Sequence, residues 1–295
     1  GARLYLPATW LTPAQRARGR IPSTVVFQEK WRLALTLVRQ VRASGITVTA
    51  VVADAEFGDC TAVRRMLHTI EMPYALGVSS HLTVFVGTPP TQPPAPRIGR
   101  GRPASQPRLA PGVTPISIRD LAAQTAAHHW RTVSWRNGTH APWRARFWAC
   151  RVTPAHDWRS RRVAPTIWLL CQRDLGATPE TKAYFVHLPA AASLKAVVRL
   201  AHHRWEIEQQ YAELKDELGL DHFEGRSFHG WHRHVVLTAI AYAFIQRERQ
   251  RRRRADLTFP QARAVITDIL TAHYFLTHRR HLNMLLKLAE IPLRT

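Results

Sequence analysis

The sequence predicts an α/β fold. Ile46-Thr47-Val48-Thr49-Ala50-Val51-Val52-Ala53 is an unbroken β-branched and apolar run, the pattern of a buried strand rather than a half-exposed one. A helical pattern over residues 60–71 follows it, and Tyr74-Ala75-Leu76-Gly77-Val78 reads as the next strand. Much later, residues 204–220 carry apolar side chains at helical spacing, with Ile207, Tyr211, Leu214 and Leu218 on one stripe.

The first strand ends on Asp54, and the turn Phe57-Gly58-Asp59 comes next. In open α/β sheets, sites form at the carboxyl ends of strands, which is where Asp54 stands. A helix N-cap is the plainer role for an aspartate there, and Asp59 could equally take it. On the later helix, Arg204, Glu208 and Lys215 fall within a band about 40° wide along the edge of the apolar stripe, at about 100° per residue. An arginine, a carboxylate and a lysine then share a rim between core and solvent, where a metal and a phosphate could both be held. A solvated ladder of salt bridges is the plainer account of the same spacing.

Taken together, the two segments are recognisable. Ala53-Asp54-Ala55-Glu56-Phe57-Gly58-Asp59, followed by Arg204-Trp205-x-Ile207-Glu208 and Lys215, resembles the DDE transposases of bacterial insertion sequences. The resemblance is to the group with a Tyr-x2-Arg-x3-Glu-x6-Lys signature. Arg204, Glu208 and Lys215 fit that spacing, whereas Ala201 stands at the tyrosine position. The continuation from Gly219-Leu220-Asp221-His222-Phe223 through Glu224-Gly225-Arg226-Ser227, then Gly230 and His234, also reads like this family.

The resemblance implies a ribonuclease H-like α/β domain that cleaves and transfers DNA strands. In such enzymes three carboxylates bind two Mg2+ ions. Asp54 would be the second acid and Glu208 the third, both as metal ligands, with Arg204 and Lys215 on backbone phosphates. Hard oxygen ligands suit Mg2+, and a pair of ions suits an in-line phosphoryl displacement. The first acid of the family lies upstream of the segment matching Leu4-Tyr5-Leu6-Pro7, which here almost opens the sequence; Asp120 and Asp157 lie downstream of Asp54. The expected reading is therefore an amino-terminally truncated fragment, an incomplete ribonuclease H-like domain whose first two strands are missing and which is inactive alone.

The expected organisation is a first part of the core over residues 1–82, and a Pro/Arg loop with a β-strand insertion over 83–195. The catalytic-glutamate helix and the following helix occupy 196–255, with a helical tail over 256–295. The loop is the low-complexity stretch 87–112, with Pro89-Pro90, Pro93-Pro94, Arg97, Arg100, Arg102 and Arg108, a composition that suits a mobile basic surface segment. Trp130, Trp135, Trp143, Trp148, Trp158 and Trp168 crowd the insertion and read mainly as core and rim. Arg226, and Arg251, Arg252, Arg253 and Arg254 at the end of an apolar helix, are further candidates for DNA phosphate.

Composition narrows the partners. The 295 residues carry 42 Lys plus Arg against 20 Asp plus Glu, a formal charge of +22. A surplus of this size favours polyanions, and arginine suits phosphate, so double-stranded DNA is the expected partner; the resemblance implies transposon ends in particular. A homodimer is expected for the intact enzyme. No run of eighteen apolar residues exists, so no membrane partner is expected. Cys60, Cys150 and Cys171 are scattered and odd in number, which suits buried thiols in a reducing cytosol; the resemblance implies a bacterial cytoplasm, near the nucleoid. Non-catalytic DNA binding and an unrelated metal-dependent nuclease are the alternatives.

Overall fold

The computed structural model describes residues 2–93, 107–137, 142–156, 165–176, 180–251 and 257–289. The chain divides into two compact units, one of Gln28–Trp205 and one of Leu4–Phe27 with Glu206–Thr295. Its strands are β1 (Val51–Ala53), β2 (Tyr74–Val78), β3 (Thr83–Val86), β4 (Thr91–Gln92), β5 (Arg108–Leu109), β6 (Ile116–Ser117), β7 (Arg131–Asn137), β8 (Pro142–Pro154), β9 (Ile167–Arg173) and β10 (Thr181–His187). Its helices are α1 (Pro13–Gly19), α2 (Lys30–Ala43), α3 (Ala55–Gly58), α4 (Thr61–Thr69), α5 (Ile118–Gln124), α6 (Leu194–His202), α7 (Arg204–Ala212), α8 (Phe228–Arg251), α9 (Phe259–Thr277) and α10 (Arg279–Ala289).

The first unit is a mixed sheet in the order β1-β2-β10-β9-β8-β3-β6, with β7 paired to β8. Only β1 and β2 are parallel, with Val51 opposite Tyr74 and Ala53 opposite Leu76; the remaining pairs are antiparallel. Besides β9, the long β8 serves two partners in turn. Its first residues pair with β7, and Val152, Thr153 and Pro154 pair with β3. Alternation along the strands sends side chains to two cores. Leu76, Leu169, Cys171 and Phe185 pack with Leu35 of α2, Val63 and Leu67 of α4, and Ile118 of α5. Ala75, Phe147, Leu170 and Val186 pack with Val197, Val198 and Ala201 of α6. Helices on both faces explain why β9 and β10 read as continuous apolar runs.

One expectation changes here. The run 46–53 forms a ladder only over Val51–Ala53, and those residues are half-buried; Ile46 is 59% exposed. A strand extends only where a partner exists, and β2 begins opposite Val51, whose N–H donates to the Pro73 carbonyl at 2.9 Å. Among the described residues the other edge of β1 has no strand. The strands after residue 83 join the same sheet as β1 and β2, with β10 on the second edge of β2. Within the low-complexity stretch, Thr91 and Gln92 pair with Leu109 and Arg108, while Arg97, Arg100 and Arg102 lie outside the described residues.

The tryptophans divide as core and rim. Trp130 is buried and Trp148 packs against the same core, whereas Trp143 is 50% exposed. Among the described residues arginines lie over four indoles: Arg173 over Trp130 at 4.0 Å, Arg151 over Trp168 at 5.3 Å, Arg136 over Trp205 at 3.4 Å, and Arg32 over Trp31 at 5.0 Å. Such cation–π contacts absorb part of the arginine surplus within the fold. Trp158 lies outside the described residues. Burial pushes the thiols of Cys150 and Cys171 up to about 12.

The second unit is helical. Ile245 of α8 packs with Phe259 and Ala262 of α9, and the rings of Tyr242 and Phe259 stack at 5.1 Å. The α9 amino terminus is set by a capping box in which Thr258 and Gln261 satisfy each other's backbone N–H groups. Glu217 holds Arg263 at 2.7 Å, and Glu213 accepts a hydrogen bond from the Tyr242 hydroxyl at 3.0 Å. The tail expected beyond Phe259 is the pair α9 and α10.

Candidate active site

Asp54 stands directly after β1, on the turn that opens α3. Its Oδ1 accepts the Glu56 N–H at 3.1 Å, so it is the N-cap of α3. Its side chain is exposed, and Oδ2 makes no hydrogen bond among the described residues. Capping and metal ligation use different oxygens of one carboxylate, so the two readings of Asp54 are compatible.

The turn is held against β2 by close backbone packing. A Cβ on Gly58 would stand 1.8 Å from the Gly77 carbonyl oxygen, and one on Gly77 would stand 3.2 Å from the Ala55 nitrogen. Asp59 Oδ1 accepts the Ser79 N–H at 2.9 Å, tying the far end of the turn to the residue after β2. Buried Arg64 of α4 donates to the Gly58 carbonyl and, at 3.1 Å, to Thr61 Oγ1. Lys30 of α2 pairs with Glu56 at 2.8 Å. The aspartate is thus mounted on a turn with several independent anchors, as a site residue requires. Sequence reading named Asp54 and Asp59 but missed Gly77 and Arg64. A glycine inside a strand pattern was the available signal, since it marks close backbone approach.

The signature helix departs from a single α-helix. It is α-helical over Arg204–Ala212 and π-helical over Glu213–Glu217, ending at Gly219 with φ +65°. The Gly219 N–H returns to the Lys215 carbonyl at 3.1 Å, as in the αL motif, and the Leu220 N–H to the Leu214 carbonyl at 2.9 Å. The wider π turn breaks the 100° phase, so Lys215 leaves the band that an unbroken helix would give it. The expected apolar stripe is buried only at its end: Leu214 is 8% exposed, but Ile207 and Tyr211 are 38% and 53% exposed. Glu208 and Lys215 are exposed and Arg204 is half-buried. Arg204 and Trp205 close the first unit, and Glu208 and Lys215 belong to the second.

Just before the helix, His202 stacks on Trp135 at 4.0 Å and meets Phe147 edge-on at 5.6 Å. Its Nε2 is buried with no hydrogen-bond partner among the described residues. Burial, reinforced by Lys182 and Arg204 and opposed by Asp174, pushes its pKa down to about 4. Ala201, at the signature's tyrosine position, is buried in the α6 core.

Arg226 is exposed at the approach to α8, and Arg251 is exposed at its end, 3.3 Å from Glu248. Arg252, Arg253 and Arg254 lie outside the described residues, as does Asp157. Asp120 sits in the first turn of α5, where Ser117 caps the helix and donates to its carboxylate at 2.6 Å. His232 and His234 are held by the Phe228 and Gly219 carbonyls at 2.8 and 2.9 Å. Among the described residues no three His, Cys, Asp or Glu side chains gather as a metal site. As oxygen donors, Asp54 and Glu208 have the chemistry that Mg2+ prefers. Among the described residues no helix is long and apolar enough to cross a membrane.

No curated protein matches the chain. A family match is found over residues 1–142, to the family described as DDE superfamily endonuclease, and it spans β1, β2 and the Asp54 turn. That family implies a DNA substrate and a transposase- or nuclease-type function, and its members generally use divalent metal ions. Over residues 1–142 the chain is similar to the DDE superfamily of transposase-type endonucleases.

Proposed function

We propose that this chain carries the strand-cleavage and strand-transfer machinery of an insertion-sequence transposase. The observation that carries the reading is Asp54, at the carboxyl end of the parallel strand β1, on an anchored turn and with Oδ2 free of other bonds among the described residues. Asp54 and Glu208 would hold Mg2+, which when bound activates water or a 3′ hydroxyl and stabilises the leaving oxygen. Arg204 would fix a backbone phosphate through its planar fork and Lys215 through a point charge. Arg226 and Arg251 to Arg254 would extend the phosphate track along double-stranded DNA at transposon ends. The family chemistry needs a third carboxylate. The open edge of β1 is where a further strand carrying it would pair, beside Asp54.

A second reading, non-catalytic DNA binding, draws support from the lack of a three-carboxylate group among the described residues. Magnesium-dependent nicking of duplexes bearing the element's ends separates the two. The first reading expects cleavage at the ends once a strand bearing the third acid is supplied, and its loss in Asp54→Asn and Glu208→Gln. Tight, salt-sensitive binding with no cleavage in any such complex supports the second.

A further inference from the structure

The second unit contains a cavity of about 550 Å3 that the catalytic reading leaves unused. It lies between the amino-terminal segment and the approach to α8, and its lining includes Trp10, Arg18, Phe223, Arg226 and Trp231. Its size falls within the range of about 300–1,000 Å3 usual for small-molecule sites. The wall at Phe223 is built closely. A Cβ on Gly225 would stand 2.4 Å from the Phe223 ring and one on Gly230 3.0 Å from it, while His234 packs on the ring at 5.6 Å. Buried Gly19 of α1 brings the opposite side near, since its Cβ would meet the Arg226 carbonyl oxygen at 3.7 Å.

The lining combines two chemistries. Trp10 is 52% exposed and Trp231 is half-buried, so indole surface faces the space rather than a filled core. Arg18 and Arg226 are exposed, and neither has a hydrogen-bond or ion-pair partner among the described residues. In a chain of charge +22, aromatic surface beside free guanidinium groups matches a planar base attached to a phosphate.

We propose that this cavity binds an unpaired nucleotide of the DNA strand, with the base against Trp10 and Trp231 and its phosphate on Arg18 and Arg226. A paired base cannot enter, because both its faces are already stacked within the duplex. The site therefore distinguishes DNA with a single-stranded overhang from a blunt duplex. The proposal rests on the DNA reading above.

The test uses the whole chain with two duplexes, one blunt and one with a short overhang carrying 2-aminopurine. Stacking on an indole predicts quenched 2-aminopurine fluorescence and about tenfold tighter binding of the overhang duplex. Trp10→Ala, in a short surface 3-10 helix, and Trp231→Ala should remove the preference while blunt-duplex affinity stays unchanged; Trp231→Phe should retain it. Arg226→Gln should lower the salt slope for the overhang duplex by about one, the share of one phosphate. Equal affinity for both duplexes, or a preference unaffected by both tryptophan variants, overturns the proposal and leaves salt-sensitive duplex binding intact. Failure to bind either duplex overturns the DNA reading and this proposal together.

Discussion

Gly58 and Gly77 are in backbone contact: a Cβ on Gly58 would lie 1.8 Å from the Gly77 carbonyl oxygen. Neither residue carries chemistry, yet together they let α3 lie directly on β2 and hold Asp54 at the strand end. Gly58→Ala must push the turn off β2, because the obstructing atom is backbone and cannot rotate away. The expected cost is about 2–4 kcal/mol, measured by urea unfolding. Gly77→Ala should cost less, since its nearest atom is 3.2 Å away.

His202 makes the first unit sensitive to acid. Its folded pKa is pushed down to about 4 by burial, against an ordinary value of 6.5. Between those values the unfolded chain takes up a proton that the folded chain refuses, so stability is full above pH 6.5 and falls as pH drops towards 4. The loss approaches about 3 kcal/mol at the low end. His202→Phe keeps the stack on Trp135 and removes the buried Nε2. It should flatten the profile of unfolding free energy over that window, and an unchanged profile would assign the acid sensitivity to other groups.

The helical core of the second unit depends on Phe259, 1% exposed and stacked on Tyr242. Phe259→Ala should cost about 3–5 kcal/mol, the usual range for emptying a buried aromatic site. Hydrogen exchange should then rise in α8 and α9. Rapid exchange confined to the β9 and β10 amides instead would mean that the ring supports a different core.

Basic residues at the end of α8 should govern salt dependence. Replacing Arg251, Arg252, Arg253 and Arg254 by alanine should reduce the slope of log affinity against log salt by about 0.9 for each phosphate that these arginines neutralise. A slope that does not change would show that they face solvent when DNA is bound.

Much of the site's local chemistry was legible in the sequence, and less of its setting. The β-branched run located β1 and Asp54 because strand propensity and a following turn are local signals. The run's length misled, since pairing extent is decided by β2, a partner some twenty residues away. The helix at Glu208 was legible from charge and apolar spacing. Its π segment was not, because a change of turn after Ala212 leaves no mark in a 3.6-residue pattern. Trp10 and Arg18 were passed over for a related reason: their importance arises from packing near Phe223 and Trp231, about two hundred residues later.

We propose that Asp54 and Glu208 act on one pair of ions. The most direct test is a double-mutant cycle on Mn2+ affinity, read by electron paramagnetic resonance with the chain bound to duplex DNA. Asp54→Ala and Glu208→Ala should each weaken binding, and the double variant should depart from additivity by about 1 kcal/mol or more, as ligands of a shared site do. Effects that add to within about 0.5 kcal/mol would place the two carboxylates in independent sites and contradict the account.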